Sequence, residues 1–270
     1  YDSTMIAVFS HLLQGMKVGN TSKKKNQVKI TTELQNEFQV SFRFSKDQGH
    51  LSEEVALKEL IEQSTHGKDD LIVFDRGLKS RETFVGFKEK FKFVTRLHDK
   101  NRYKLLRPHC EAVPTEHATL GFLQDSIVYL YGDGSKLVEE EFRLIEVERK
   151  EDGKKVSFLT NILDMPADQV AAVYQHRWQI EVFFRFLKQE MNLTHFVCND
   201  VNAIQVMIYC TLITAMLILV YKKKNGITSY KIAKIRFFKE LEASIILAII
   251  ETPEGLDTLR QNLKKYIQKE

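Results

Sequence analysis

Apolar and polar positions along this 270-residue chain change period several times, and each change predicts a different element. Residues 1–9, 27–32 and 39–44 are short runs rich in strand-forming side chains, set between polar turns, and predict three strands. Ser52, followed by Glu53, Glu54 and a helical apolar pattern, predicts a helix over 51–61 with a cap and acid in its first turn. Leu71-Ile72-Val73-Phe74 is a continuous apolar run, as expected of a strand buried on both faces, and it stops at Asp75-Arg76-Gly77. A helix over 80–91 and a strand over 92–97 follow.

From about 98 to 155 the texture becomes strand and loop. Residues 127–131 and 142–149 read as strands, and Glu151-Asp152-Gly153 before the run 155–160 is a hairpin signal. Pro166 suits the first turn of a long helix running to about 191. A second helix is expected over 201–221, and 230–270 reads as mostly helical. The order is compatible with a mixed α/β, ribonuclease-H-like fold. On this reading 1–97 and 156–225 form one discontinuous domain, 98–155 an inserted β-rich subdomain, and 226–270 a helical C-terminal part.

Composition narrows the class. With 43% hydrophobic residues and 18 Phe the chain can bury a large core, and 12 Gly with 4 Pro argue against a disordered or fibrous protein. A net charge of +4 and a pI near 8.8 permit nucleic-acid binding without requiring it. Cys110, Cys198 and Cys210 form no paired spacing, so neither a disulfide framework nor a zinc site is indicated, and a reducing, cytoplasmic setting is expected. No signal-peptide pattern opens the chain, and a start at Tyr1 reads as a fragment or the later part of a longer protein. The apolar run 206–221, followed by Lys222-Lys223-Lys224, falls short of the roughly 20 residues of a spanning helix. A buried core helix and no membrane association are expected.

The densest chemistry lies between Tyr174 and Lys188. At about 100° per residue, Arg177, Glu181, Arg185 and Lys188 fall within an arc of roughly 80° that also holds Tyr174. Val173, Ile180, Phe183, Phe184 and Leu187 take the adjoining arc, as a core-facing stripe should. One carboxylate set among cations beside the core suits a site for a metal and a phosphate chain. Ordinary i,i+4 pairing of Arg177, Glu181 and Arg185 would give the same periodicity.

Two-metal phosphoryl transfer needs acids converging from separate elements, because hard cations take oxygen ligands. Asp75, at the rim of a buried strand, is the second candidate, although an Asp-Arg-Gly turn could use the carboxylate locally. Asp2, at the head of the first strand, is the third and is uninformative alone. A basic run including Lys100, Arg102 and Lys104, with Phe91, Phe93 and Tyr103 interleaved, would give salt-dependent DNA contact or a solvated rim. His176 and His195 are given no role, since Mg²⁺ prefers oxygen.

In conjunction these residues resemble the DDE transposases of bacterial insertion sequences, most closely the insertion sequence 4 family with its Tyr-x2-Arg-x3-Glu-x6-Lys signature. Tyr174, Arg177, Glu181 and Lys188 match that spacing, and the neighbourhoods of Asp75 and Asp2 are similar to the family's two aspartate strands. Phe158-Leu159-Thr160-Asn161 is a further similarity, and the resemblance covers about residues 1–220. It implies a ribonuclease-H-like domain interrupted by a β-rich insertion. It also implies a triad of Asp2, Asp75 and Glu181 holding two Mg²⁺ ions (Mn²⁺ substituting), with Tyr174, Arg177 and Lys188 on phosphates. Arg185 shares that face but lies outside the signature. The implied activity is cleavage at transposon ends and strand transfer into target DNA. The implied partners are double-stranded terminal repeats and target DNA, with a homodimer plausible because two ends must be joined. A nuclease without strand transfer, or a degenerate fragment that only binds DNA, are the alternatives.

Overall fold

The strand-forming runs at the start of the chain pair into one sheet, and those from residue 71 onward into another. The computed structural model describes residues 1–7, 16–18, 25–46, 48–98, 101–109, 117–132, 136–194, 200–252 and 254–267. Lys100, His195, Cys110 and Cys198 lie outside these residues, while Cys210 is exposed.

In the first sheet β3 (Lys25–Gln35) is central, antiparallel to β1 (Asp2–Ala7), to β2 (Met16–Val18) and to β4 (Phe38–Ser45). The helix α1 (Glu53–Gln63) leads to the second sheet. There β5 (Leu71–Phe74) runs parallel to β6 (Lys92–Leu97), with α2 (Arg81–Lys88) between them in sequence. The sheet continues through β10 (Lys155–Thr160), β9 (Leu137–Arg149) and β8 (Leu120–Tyr131) to β7 (Tyr103–Pro108) at its far edge, all antiparallel. Strands from the 98–155 stretch thus share a hydrogen-bonded sheet with β5, β6 and β10. The backbone nitrogen of Tyr1 donates to the Val73 carbonyl at 2.8 Å, joining the head of β1 to β5.

Phe158-Leu159-Thr160-Asn161 has a local job in this sheet. Asn161 accepts from the Phe93 N–H and donates to the Phe91 carbonyl, both at 2.8 Å, and so pins the start of β6.

The single long helix expected over 166–191 is instead two, α3 (Ala167–Gln175) and α4 (Trp178–Gln189). No Gly or Pro interrupts it. Between them, the N–H groups of His176, Arg177, Gln179 and Ile180 bond to carbonyls three residues back, which tightens the turn. Packing supplies the reason. Ala167, Val170 and Ala171 of α3 join Val94, Ile145, Val147 and Phe158 of the second sheet. Ile180, Phe183, Phe184 and Leu187 of α4 join Ile6, Val28 and Ile30 of the first. One uniform helix would have to serve two sheets with one phase.

A buried ion pair sets where α3 begins. Arg143 on β9 meets Asp125 on β8 in a bidentate pair at 2.9 and 2.6 Å, with the side chains 3% and 1% exposed. The same guanidinium donates to the carbonyls of Ile162 and Met165, just ahead of α3.

The helix expected over 201–221 is α5 (Val201–Lys224), 24 residues long because the three lysines extend it, and cations suit a helix C-terminus. By length and composition it is apolar enough to cross a membrane. One stripe, including Ile204, Ile208, Leu212 and Ala215, lies in the core beside α4, while Val206, Ile213 and Leu217 are exposed. It is therefore a half-buried helix, where a core helix was expected. The last helices are α6 (Tyr230–Ile250) and α7 (Gly255–Ile267).

Candidate active site

The acids of the sequence reading come from three elements and are tied together through Tyr174 and Arg177. Asp2 enters from β1 in the first sheet, Asp75 from the residue after β5 in the second, and Glu181 from the first turn of α4. Arg177, at the α3–α4 junction, stands among them. Its Nη2 donates to Glu181 Oε1 at 2.6 Å and its Nη1 lies 3.5 Å from Asp2 Oδ2. The Arg177 side chain is only 12% exposed, and its Nε is buried with no hydrogen-bond partner among the described residues. Tyr174, at the end of α3, donates its hydroxyl to Asp75 Oδ1 at 2.8 Å, and the Arg177 guanidinium rests 5.6 Å from the Tyr174 ring centre.

The two aspartates occupy opposite electrostatic situations. Burial raises the Asp2 carboxyl above its ordinary value, the Asp75 charge adds to this, and the Ser3 N–H and the Arg177 charge oppose it without cancelling it. Burial also pushes Asp75 upward, but the Arg76 N–H, the Arg177 charge and the Tyr174 hydroxyl outweigh it, and this carboxyl is held low. Arg177 is desolvated too, yet the hydrogen bond to Glu181 and the surrounding negative charge keep it more firmly protonated than usual.

Sequence reasoning missed one member of this group. Glu53, the first residue of α1, is raised by burial and then by repulsion from Asp2 and Asp75. The charge of the 3%-exposed Lys29 on β3 offsets part of this. Acid in a helix's first turn is expected from the helix dipole alone, so the pattern of 52–54 carried no separate signal.

The remaining cations divide. Lys188, on α4, is half-buried, its amine pushed down by that burial, and it has no ion-pair partner among the described residues. Arg185 is exposed and lies over the Trp178 ring at 5.9 Å. Lys104 belongs to β7 and Arg102 precedes it, stacked on Tyr131. Five strand spacings separate β7 from β5, or about 24 Å at ~4.8 Å each, so these two are not beside Asp75.

Oxygen donors from three elements are the right chemistry for a hard divalent ion. Among the described residues no three acidic, His or Cys side chains stand at ligand spacing, and a guanidinium holds Asp2 and Glu181 by their oxygens. A cation already stands between two of these carboxylates, so the chemistry of the donor set, though not its spacing here, fits such an ion.

The family model described as the transposase DDE domain matches residues 1–217. The protein of Sinorhizobium fredii named as transposase y4zB is 31% identical over 157 residues, covering 58% of this chain and 44% of that protein. The Synechocystis protein named for transposition of insertion sequence element IS4SA is 25% identical over 236 residues, covering 84% of this chain and 61% of that one. The chain thus spans about half the length of these relatives. Among solved structures, a piggyBac transposase synaptic complex with hairpin DNA superposes with a TM-score of 0.54 at 15% identity, over 97% of this chain and 56% of that one. That likeness concerns the fold, which is mixed α/β and ribonuclease-H-like. The chain belongs to the transposase DDE domain family.

Proposed function

We propose that this protein is a metal-dependent DNA transposase that cleaves phosphodiester bonds at transposon ends and joins the freed ends to target DNA. The observation carrying this reading is that Arg177 bridges Asp2 and Glu181 while Tyr174, three residues earlier, holds Asp75, so that acids from three separate elements are tied to one short segment. Asp2, Asp75 and Glu181 would hold two Mg²⁺ ions, which Mn²⁺ could replace, and which when bound polarise the phosphate and activate the attacking oxygen. The chain's own residues prepare the site. Tyr174 fixes the Asp75 carboxylate by its hydroxyl. Arg177, released from Asp2 and Glu181, offers a planar fork to a phosphate, and Lys188 a point charge. Arg185 extends this cationic face, while Lys100, Arg102 and Lys104 would contact the duplex. The DNA is the element's own pair of terminal repeats and then the target, and two protein copies would bring the two ends together.

The test is cleavage and strand transfer on DNA carrying the sequences that flank the protein's own reading frame, with Mg²⁺, by the full natural chain and its Glu181→Gln variant. The variant should retain DNA binding and lose both reactions. Undiminished cleavage by Glu181→Gln would refute the assignment. Cleavage without joining by the unaltered protein would make it a nuclease.

A further inference from the structure

The carboxylate outside the signature carries an inference of its own. Glu53 is held at the site by two features that act on neighbouring residues. Glu54 accepts hydrogen bonds from the Lys79 and Ser80 N–H groups at 3.1 and 2.6 Å, clamping the loop after Asp75 against the start of α1. In that loop Gly77 leaves room for the Glu53 and Leu57 side chains, since a Cβ there would come within 2.7 Å of Glu53 Cγ, 2.8 Å of its Cδ and 2.8 Å of Leu57 Cδ1. Gly77 has no left-handed backbone to explain the glycine, so the space itself is the requirement. The result is a cavity of about 360 Å³ whose wall includes Glu53, Asp75, Lys79 and His98. The Glu53 side chain therefore shares with Asp75 a cavity large enough for a hydrated ion or a phosphate.

We propose that Glu53 is a fourth carboxylate of the site, an oxygen donor to the divalent ion held by Asp2 and Asp75. The inference rests on the metal-dependent reading above and extends it to a residue that the Tyr-Arg-Glu-Lys spacing does not include. An additional carboxylate raises the site's negative charge, which strengthens binding of a hard cation and makes its affinity depend on Glu53 before any DNA is present.

The experiment is titration of the full chain with Mn²⁺ alone, following loss of the free-ion EPR signal. It compares the unaltered protein with Glu53→Gln, Gly77→Ala, Asp75→Asn and, as a matched charge change elsewhere on α1, Glu62→Gln. Circular dichroism would establish that each is folded. Glu53→Gln should weaken Mn²⁺ binding by about tenfold or more. Gly77→Ala, which keeps every charge but displaces the Glu53 and Leu57 side chains, should also weaken it, and with its fold established by circular dichroism it decides the matter if Glu53→Gln does not fold. Glu62→Gln should bind as the unaltered protein does. If Asp75→Asn loses the ion while Glu53→Gln and Gly77→Ala keep it, Glu53 is no ligand and the metal-dependent reading stands. If Glu62→Gln weakens binding as much as Glu53→Gln, the effect is general charge and the proposal fails. If the unaltered chain binds no better than Asp75→Asn, the metal reading falls and takes Glu53 with it.

Discussion

Replacing Arg143 by Met would leave Asp125 as a carboxylate 1% exposed with no counter-charge, and would strip donors from the carbonyls of Ile162 and Met165. Breaking a buried pair from one side costs about 3–5 kcal/mol. An unfolding entropy of ~2.1 cal/mol/K per residue gives roughly 0.57 kcal/mol per kelvin for this length, so the melting temperature should fall by about 5–9 °C. The double variant Arg143→Met, Asp125→Leu removes both charges and replaces them with apolar groups of similar size. Its stability should return to within about 1–2 kcal/mol of the unaltered protein. Cleavage should not return with it, because the guanidinium also holds the segment from which α3 starts, and α3 carries Tyr174 to Asp75. Differential scanning calorimetry beside the DNA-end cleavage assay separates the two effects. A double variant regaining both stability and full cleavage would show that the pair is a packing unit with no part in aiming α3.

Arg177→Lys keeps the charge but loses the fork that spans Glu181 and Asp2, and cleavage should drop about 10- to 100-fold, read as initial rate at saturating DNA. Equal rates would mean that only the charge matters. Asp2, whose carboxyl is raised in the folded protein, contributes stability that is present below its unfolded value of ~3.9 and is lost as pH rises through the higher folded value. In EDTA, Asp2→Asn should therefore raise the melting temperature at pH 7 and flatten its rise on acidification toward ~4; a lowered melting temperature at pH 7 would contradict the sign. Asn161→Ala removes both bonds to the β6 edge and should cost about 1–3 kcal/mol in urea unfolding, and a cost near zero would leave the backbone groups of Phe91 and Phe93 satisfied by other means.

Much of the frame was legible because burial leaves a period in the sequence. The run 71–74 reads as a strand since both its faces are covered, and the apolar arc of 180–187 reads as a core-facing helix. The arc of Arg177, Glu181 and Lys188 was visible for the same reason, and so was the placing of Asp75 at a strand end. The break at His176 left no trace, because Gln175, His176 and Arg177 are all helix-compatible and the interruption comes from docking on two sheets. The Asp125–Arg143 pair was equally silent, since it joins strands whose register no local pattern specifies. Glu53 was hidden by the commonness of acid at a helix start, and its meaning depends on Gly77, 24 positions later, having no side chain.

The α3–α4 junction has an evolutionary consequence. Tyr174 answers to the second sheet through Asp75, while Arg177 and Glu181 answer to the first through Asp2 and the α4 core. Drift in one sheet can be absorbed by repacking within that sheet, but inserting or deleting a residue between Tyr174 and Arg177 would turn the helices by about 100° relative to one another. Both cores could still form, and the chain would fold while Tyr174 no longer reached Asp75 in phase with Arg177 and Glu181. Selection on length should therefore be strictest in a segment whose loss would leave folding almost intact.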